Sequence, residues 1–443
     1  MSQERADDFT ERQNYPFMVG VYLAVNAISD AFLLVDGPDC AHMKTQYVQG
    51  NHDWLSTLTD ISGFHRVANT ALHPFQMARS READLVDRLA RMAAHPPAGV
   101  VMVTPMPMAA ITGVDYERLA RQAAVNAGTT PVVSIPGRSL SGDWLSGYAA
   151  ALSSLAKHIG DPAPEPGCVA LVGYLMDRNE GDHRANLRDL EELLRGLDLE
   201  LVSVWLSGKR FEDLRAVRRA SLIVSLPYGR RAARLLSRRL GVPVLETGLP
   251  FGLDGTARWV REVARATGRE ELAERLIERE LDRVIPPLEW VVPVVFLHRA
   301  VSFIGDPYLL EGFLDLTTEL GCRHGPMMAT ARADHAPALA ERAEALRLVF
   351  EPTRKQMMEH LEPIHRNEVD LVVTNSTGSH LMGGSTPVME IGYPSFFTHA
   401  LYARPFLGFD GALAFIDSMG NALRRIDLMR MHQYRSGERP SER

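Results

Sequence analysis

One short stretch gathers several residues able to do metal or redox chemistry. It reads DGPDCAHMKTQYVQGNHDW over 36–54. The apolar run AFLLVD (31–36) delivers the chain to Gly37-Pro38, a tight turn, and then to the thiol of Cys40. A thiol just past a strand, beside a helix start, can be held as thiolate by backbone N–H groups, and thiolate is the metal-binding form. His42 follows two residues on, with His52, His65 and His73 further along. A lone cysteine equally suits a small buried apolar position. Cys-x-His without a second pair does not specify a metal centre, so spacing alone leaves both roles of Cys40 open.

Other segments offer different chemistry. Cys168 opens the apolar run CVALVGY and Cys322 follows Gly321, places that suit structural thiols. SLPYGRRAARLL (225–236) sets Arg230 and Arg231 at a helix start, where guanidinium and backbone donors could hold a carboxylate or phosphate. A solvated arginine pair is the alternative. In VTPMPMAAITGVDYERL (103–119) no strong metal ligand occurs, and Asp115 is placed to cap the helix YERLARQAA. NSTGSH (375–380) reads as a small-residue loop after a buried strand, able to bring its backbone close to a ligand. Asn375, Ser376 and His380 are its candidates for contact with a substrate or anion.

The elements that position these residues show in the hydrophobic pattern. AFLLVD (31–36), GVVMVTP (99–105), PVVSIP (131–136), CVALVGY (168–174), LIVSLP (222–227), PVLETG (243–248), WVVPVVFLH (290–298) and DLVVTN (370–375) carry little polar alternation. Strands covered on both faces read this way, so parallel sheets flanked by helices are expected. READLVDRLARMAAH, ANLRDLEELLRGL, ARLLSRRL, ARWVREVARATG and LLEGFLDLTTELG repeat apolar residues at helical spacing, and the last two close on Gly268 and Gly321. The Pro-rich connectors DPAPEPG (161–167) and RVIPPLEW (283–290) divide the chain into α/β domains 1–160, 161–285 and 286–443. In such sheets ligands bind outside the carboxyl ends of the strands, where all these candidates stand.

Composition narrows the function. The 443 residues are 46% hydrophobic and 23% charged, an ordinary globular mix. With 48 Lys and Arg against 55 Asp and Glu, the net charge of -7 leaves no basic footprint for nucleic acid. Three cysteines exclude a disulfide framework and any four-thiolate cluster held by this chain alone. The polar N-terminus is no signal peptide and no apolar run spans a bilayer, so a cytoplasmic protein without membrane contact is expected.

DGPDCAH, then GDPYLLEGFLDLTTELG (305–321), then NSTGSH followed by TPVMEIGYPSFFTHALYARPFLGFDGALAFIDSMGNAL resembles the nitrogenase component 1 superfamily. The pattern is similar to the β-type subunit of the molybdenum–iron protein and to light-independent protochlorophyllide and chlorophyllide reductases. The resemblance implies three Rossmann-like, doubly wound domains. It also implies an oxidoreductase subunit that pairs with a homologous α-type chain, as a heterodimer or α2β2 tetramer, or with a second copy of itself. An ATP-dependent iron-protein reductase would supply electrons for an organic substrate, a tetrapyrrole or another small metabolite. The family turn that carries a bridging thiolate matches Gly37-Pro38-Asp39-Cys40, one residue shorter, with Asp36 and Asp39 as oxygen donors nearby. Where the family pattern has two further cysteines, this chain has Tyr15-Pro16 and Pro107. The resemblance therefore implies a four-iron cluster shared with a partner subunit, Cys40 giving one ligand. The alternative is a cofactor-assembly scaffold or a pseudo-subunit without a cluster. In a homodimer, His42 and His52 become further ligand candidates.

Overall fold

The structure, a computed structural model, describes residues 12–39, 45, 51–59, 65–77, 79–126, 128–137, 141–382 and 387–436. The chain forms two compact units. One comprises Tyr15–Gly248 with Glu262–Arg269, the other Met1–Asn14, Leu249–Arg261 and Glu270–Arg443.

The first unit holds two four-stranded sheets. In one, β1 (Ala31–Asp36), β2 (Val67–Asn69), β3 (Val100–Pro105) and β4 (Val132–Ser134) lie in the order β2-β1-β3-β4. In the other, β5 (Cys168–Val172), β6 (Glu200–Val204), β7 (Leu222–Ser225) and β8 (Val244–Glu246) lie in the order β6-β5-β7-β8. The second unit holds one sheet. Its strands β9 (Ala300–Gly305), β11 (Met327–Ala329), β12 (Leu348–Phe350), β13 (Leu371–Thr374) and β14 (Val388–Glu390) run β12-β11-β9-β13-β14, and the short β10 (Arg323–His324) also pairs with β9. Every described strand pairing is parallel. This is the doubly wound α/β architecture that uninterrupted apolar strands require.

In the first sheet, Phe32, Leu34, Val101 and Val103 pack with Leu85 and Leu89 of the helix Glu82–Ala93 and with Leu119 and Ala123 of the helix Tyr116–Asn126. Leu33 and Val35, of opposite parity, are equally buried, so the strand is apolar on both faces up to its last residue, Asp36. Asp115 caps the second helix as expected, its carboxylate accepting from the Arg118 amide at 3.0 Å. Gly268 and Gly321 adopt left-handed φ of 68° and 72°, conformations suited to stopping a helix.

Two helices missed by the pattern reading cross through glycines. Helix α1 (Phe17–Asn26) and helix α2 (Trp144–Ala156) are apolar nearly all round, so no amphipathic period marks them. A Cβ added to Gly20 would lie 1.8 Å from the Trp144 carbonyl oxygen, and one on Gly147 1.9 Å from that of Phe17. The backbones meet there directly.

Two expectations need correction. WVVPVVFLH (290–298) is not a strand. Leu288–Val291 is α-helical and Val292–Phe296 a π-turn, while the buried strand is the neighbouring Ala300–Gly305. Pro293 lacks the N–H that a strand inside a sheet must donate, and Trp290, Val294 and Leu297 are exposed. NSTGSH is likewise no loop. Ser376–Met382 forms a helix, and Gly378 is small because a Cβ there would meet Thr374 Oγ1 at 1.8 Å.

Candidate functional site

Each sheet reverses its winding beside its first strand: between β1 and β3, between β5 and β7, and between β9 and β13. The crevices of doubly wound sheets open at such points, outside the strand carboxyl ends. Asp36 ends β1 and Gly37 and Asp39 follow it, Arg230 and Arg231 follow β7, and Asn375, Ser376 and His380 follow β13. Asp36, Gly37 and Asp39 stand together at one strand end, Asn375 and Ser376 at another where a helix begins, and the arginines open the helix Arg230–Leu240 at a third. Cys40 and His42 lie outside the described residues.

The turn after β1 is held from several sides. Asp36 is buried, and Arg81 grips it with two nitrogens, NH1 to Oδ1 at 2.8 Å and NH2 to Oδ2 at 2.9 Å. The Tyr116 hydroxyl donates to Oδ2 at 2.5 Å and the Thr70 hydroxyl to Oδ1 at 2.7 Å. Burial raises the carboxyl's pKa, but the bonds from Arg81, Tyr116 and Thr70 outweigh it and hold the pKa below the usual range. Thr70 Oγ1 also accepts from the Gly37 amide at 3.1 Å, and the Gly37 carbonyl accepts from Leu72 at 2.8 Å. A Cβ on Gly37 would meet the Met106 side chain at 2.6 Å, so the loop after β3 closes against this turn. Asp39 is exposed and accepts from Asn69 Nδ2 at 2.8 Å. Both Asp36 oxygens are thus engaged in fixing the turn, and the solvent-facing carboxylate is Asp39. Sequence reading missed Arg81, Tyr116 and Thr70 because nothing local ties them to Asp36.

At the second crossover the backbone itself closes in. Gly173, at φ 95°, and Gly229 approach so closely that a Cβ on either would stand about 2.5 Å from the other's backbone. Arg230 donates to the Ser225 carbonyl at 2.8 Å and the Thr247 carbonyl at 2.6 Å, so its guanidinium ties β7 to the end of β8. Arg231 is exposed.

After β13, Asn375 and Ser376 are buried in a brace. Asn375 Nδ2 donates to the Tyr393 carbonyl at 2.9 Å, Ser376 Oγ bonds Glu390, and Ser376 Oγ accepts from the Phe396 amide at 2.6 Å. Glu390 also accepts from the Phe397 amide at 2.9 Å. His380 is exposed, edge-on to the Phe397 ring at 5.0 Å.

The thiols separate by environment. Cys168 is buried in β5 and burial raises its pKa, while burial pushes the Cys322 thiol up to about 12. Neither is poised as a thiolate. Iodoacetamide at pH 8 should therefore leave Cys168 and Cys322 of the native chain largely unmodified and label both once urea unfolds it. Peptide mass mapping reads this directly, and fast native labelling of either thiol would contradict the burial. Among the described residues no three His, Cys, Asp or Glu side chains gather as a metal site. An iron–sulfur cluster held by this chain alone does not fit these donors.

Residues 17–424 match the sequence pattern of the nitrogenase component 1 type oxidoreductases. The chain belongs to that family. This nitrogenase component 1 type chain is 22% identical over 445 residues to the nitrogenase molybdenum-iron protein beta chain of Methanococcus maripaludis, covering 91% of this chain and 92% of that one. It is 24% identical over 415 residues to light-independent protochlorophyllide reductase subunit N of Roseiflexus sp. (strain RS-1), covering 90% and 88%. The solved structure of nitrogenase Cp1 at pH 6.5 superimposes with a TM-score of 0.79 at 16% identity, over 95% of this chain and 94% of that one, which shows a shared fold. Among the described residues no helix is long and apolar enough to cross a membrane.

Proposed function

We propose that this chain is one subunit of a nitrogenase-like, ATP-dependent reductase complex. Cys40 gives a single thiolate to a [4Fe–4S] cluster shared with a homologous α-type subunit, in a heterodimer or α2β2 tetramer, or with a second copy of this chain. A cluster of this kind supplies one-electron redox chemistry when bound. The electrons come from a separate ATP-dependent iron-protein reductase and are destined for an organic substrate, a tetrapyrrole or another small metabolite. This chain's own work is positional: Asp36, clamped by Arg81, Tyr116 and Thr70, holds the turn from which Cys40 departs.

The observation that carries this reading is the turn at the carboxyl end of β1, fixed by the bonds to Asp36, which Cys40 directly follows in the sequence, while Cys168 and Cys322 have raised pKa values. The test is anaerobic co-purification with the products of neighbouring genes, then iron and acid-labile sulfide analysis. Wild type is expected to carry iron, and Cys40→Ala to lose most of it with the complex intact. A stable complex without iron in the wild type would favour the scaffold or pseudo-subunit.

A further inference from the structure

Five arginines crowd the helix Arg230–Leu240, in a chain whose net charge is -7. Their surroundings divide them. Arg230 is bonded to the Ser225 and Thr247 carbonyls, and Arg239 Nε donates to the Ile159 carbonyl at 2.6 Å, so both serve the fold. Arg234 pairs with Glu246, its guanidinium donating to Oε2 at 2.8 Å, and Arg230 stands 3.9 Å from the same carboxylate. Glu246 is therefore already claimed. Arg231 and Arg238 are exposed, and among the described residues neither has an acidic partner. Arg238 touches only the Arg234 carbonyl, at 3.3 Å.

Positions 231, 234 and 238 fall at i, i+3 and i+7, on one face of the helix. With Ser237 and Val244 they line a groove of about 610 Å3. Val244 opens β8, which ends its sheet: β8 pairs with β7 from Ile223↔Val244 to Ser225↔Glu246, and no other described strand takes its second edge. An edge strand offers a row of backbone N–H and C=O groups to whatever lies alongside. The groove thus joins an open strand edge to two guanidiniums without a carboxylate. Spacing says what fits. Residues 234 and 238 are about 6 Å apart along the helix axis, and alternate side chains of a strand are separated by about 6.7 Å. A strand with an acid at every second position therefore follows the arginine row, carboxylate to guanidinium, in charge-assisted bonds. A phosphate or nucleotide would satisfy the arginines and leave the edge open.

We infer that this groove docks an extended acidic segment of a partner protein, which adds to the free edge of β8 and pairs its carboxylates with Arg231 and Arg238. Backbone bonds to β8 supply affinity, and the arginines select acidic side chains. The site is independent of Cys40 and of any cluster.

Fluorescence anisotropy of a labelled hexapeptide of alternating Glu and Val, titrated with the full-length chain at low salt, tests this. Saturable binding is expected. Arg231→Ala and Arg238→Ala should each weaken it roughly threefold and the double variant about tenfold, with melting temperatures unchanged because both side chains are exposed. Salt of about 0.5 M should remove most of the binding. Alternate N–H groups of a strand face the same neighbour, so of two peptides, N-methylated at the Glu or at the Val nitrogens, one should lose binding and the other keep it. On binding, the amides of 244–246 should exchange more slowly, while β6, the other edge of the same sheet, stays unchanged. No saturable binding up to about 1 mM peptide overturns the inference, and so does a double variant that binds as tightly as wild type. Equal binding of both methylated peptides, with displacement by tripolyphosphate, would make the groove a general anion site and overturn the strand.

Discussion

Asp36→Ala should cost about 3 kcal/mol of unfolding free energy, because it strands a part-buried guanidinium and a buried phenol that now share one carboxylate. Arg81 is only 14% exposed in its side chain, so water cannot replace the lost partner fully. Urea unfolding of wild type, Asp36→Ala, Arg81→Ala and the double variant measures it. The double variant should lose much less than the sum of the single ones, since both remove the same interaction. The pH dependence has a definite sign. A carboxyl whose pKa is lowered in the folded state contributes stability that is present above its unfolded value of 3.8 and lost as pH falls through the folded value. The deficit of Asp36→Ala should therefore stay flat from pH 8 to pH 5 and shrink only in stronger acid. A deficit that faded between pH 8 and pH 5 would place the stabilisation on another group. On the proposed cluster assignment, the same substitution should lower iron content, as the Gly37 turn loses the Thr70 bridge that ties it to Asp36.

Gly147→Ala should be at least as damaging, by about 3 kcal/mol or more, and should leave little folded protein at 37 °C. The added methyl would sit 1.9 Å from the Phe17 carbonyl oxygen, and Gly20→Ala has the reciprocal collision at 1.8 Å with Trp144. The obstructing atoms are helical backbone, which cannot rotate away like a side chain. α1 and α2 would have to separate, opening gaps around Trp144, Tyr148 and Tyr22, which are fully buried. Gly160→Ala is the control. A Cβ there meets nothing within 4 Å, so thermal unfolding should be unchanged or slightly raised. Equal melting temperatures for Gly147→Ala and Gly160→Ala would refute the close crossing.

The parts of this protein legible in the sequence are those where one local property suffices. A strand covered on both faces must be apolar at nearly every position, so AFLLVD, CVALV and LVVT announce themselves, and with them the strand ends where the candidate residues stand. Likewise, the Gly37-Pro38 turn is visible because its residue types bend a chain whatever surrounds them. Apolar composition without period is ambiguous, however, and WVVPVVFLH shares it while folding as a helical turn, leaving the strand to the adjacent AVSFIG. The same limit hid α1 and α2, which are apolar on all sides because both are enclosed. The polar clamps were beyond reach for a different reason. Asp36 meets Arg81 and Tyr116 across 45 and 80 residues, and His52 meets Asp177 across 125. Parallel crossovers bring such partners together, and a charged side chain carries no periodicity that names its distant mate. The sequence by itself determined the doubly wound architecture and the strand ends that form its sites. Which residues hold those ends rigid was decided by the tertiary structure, because that depends on burial and distance.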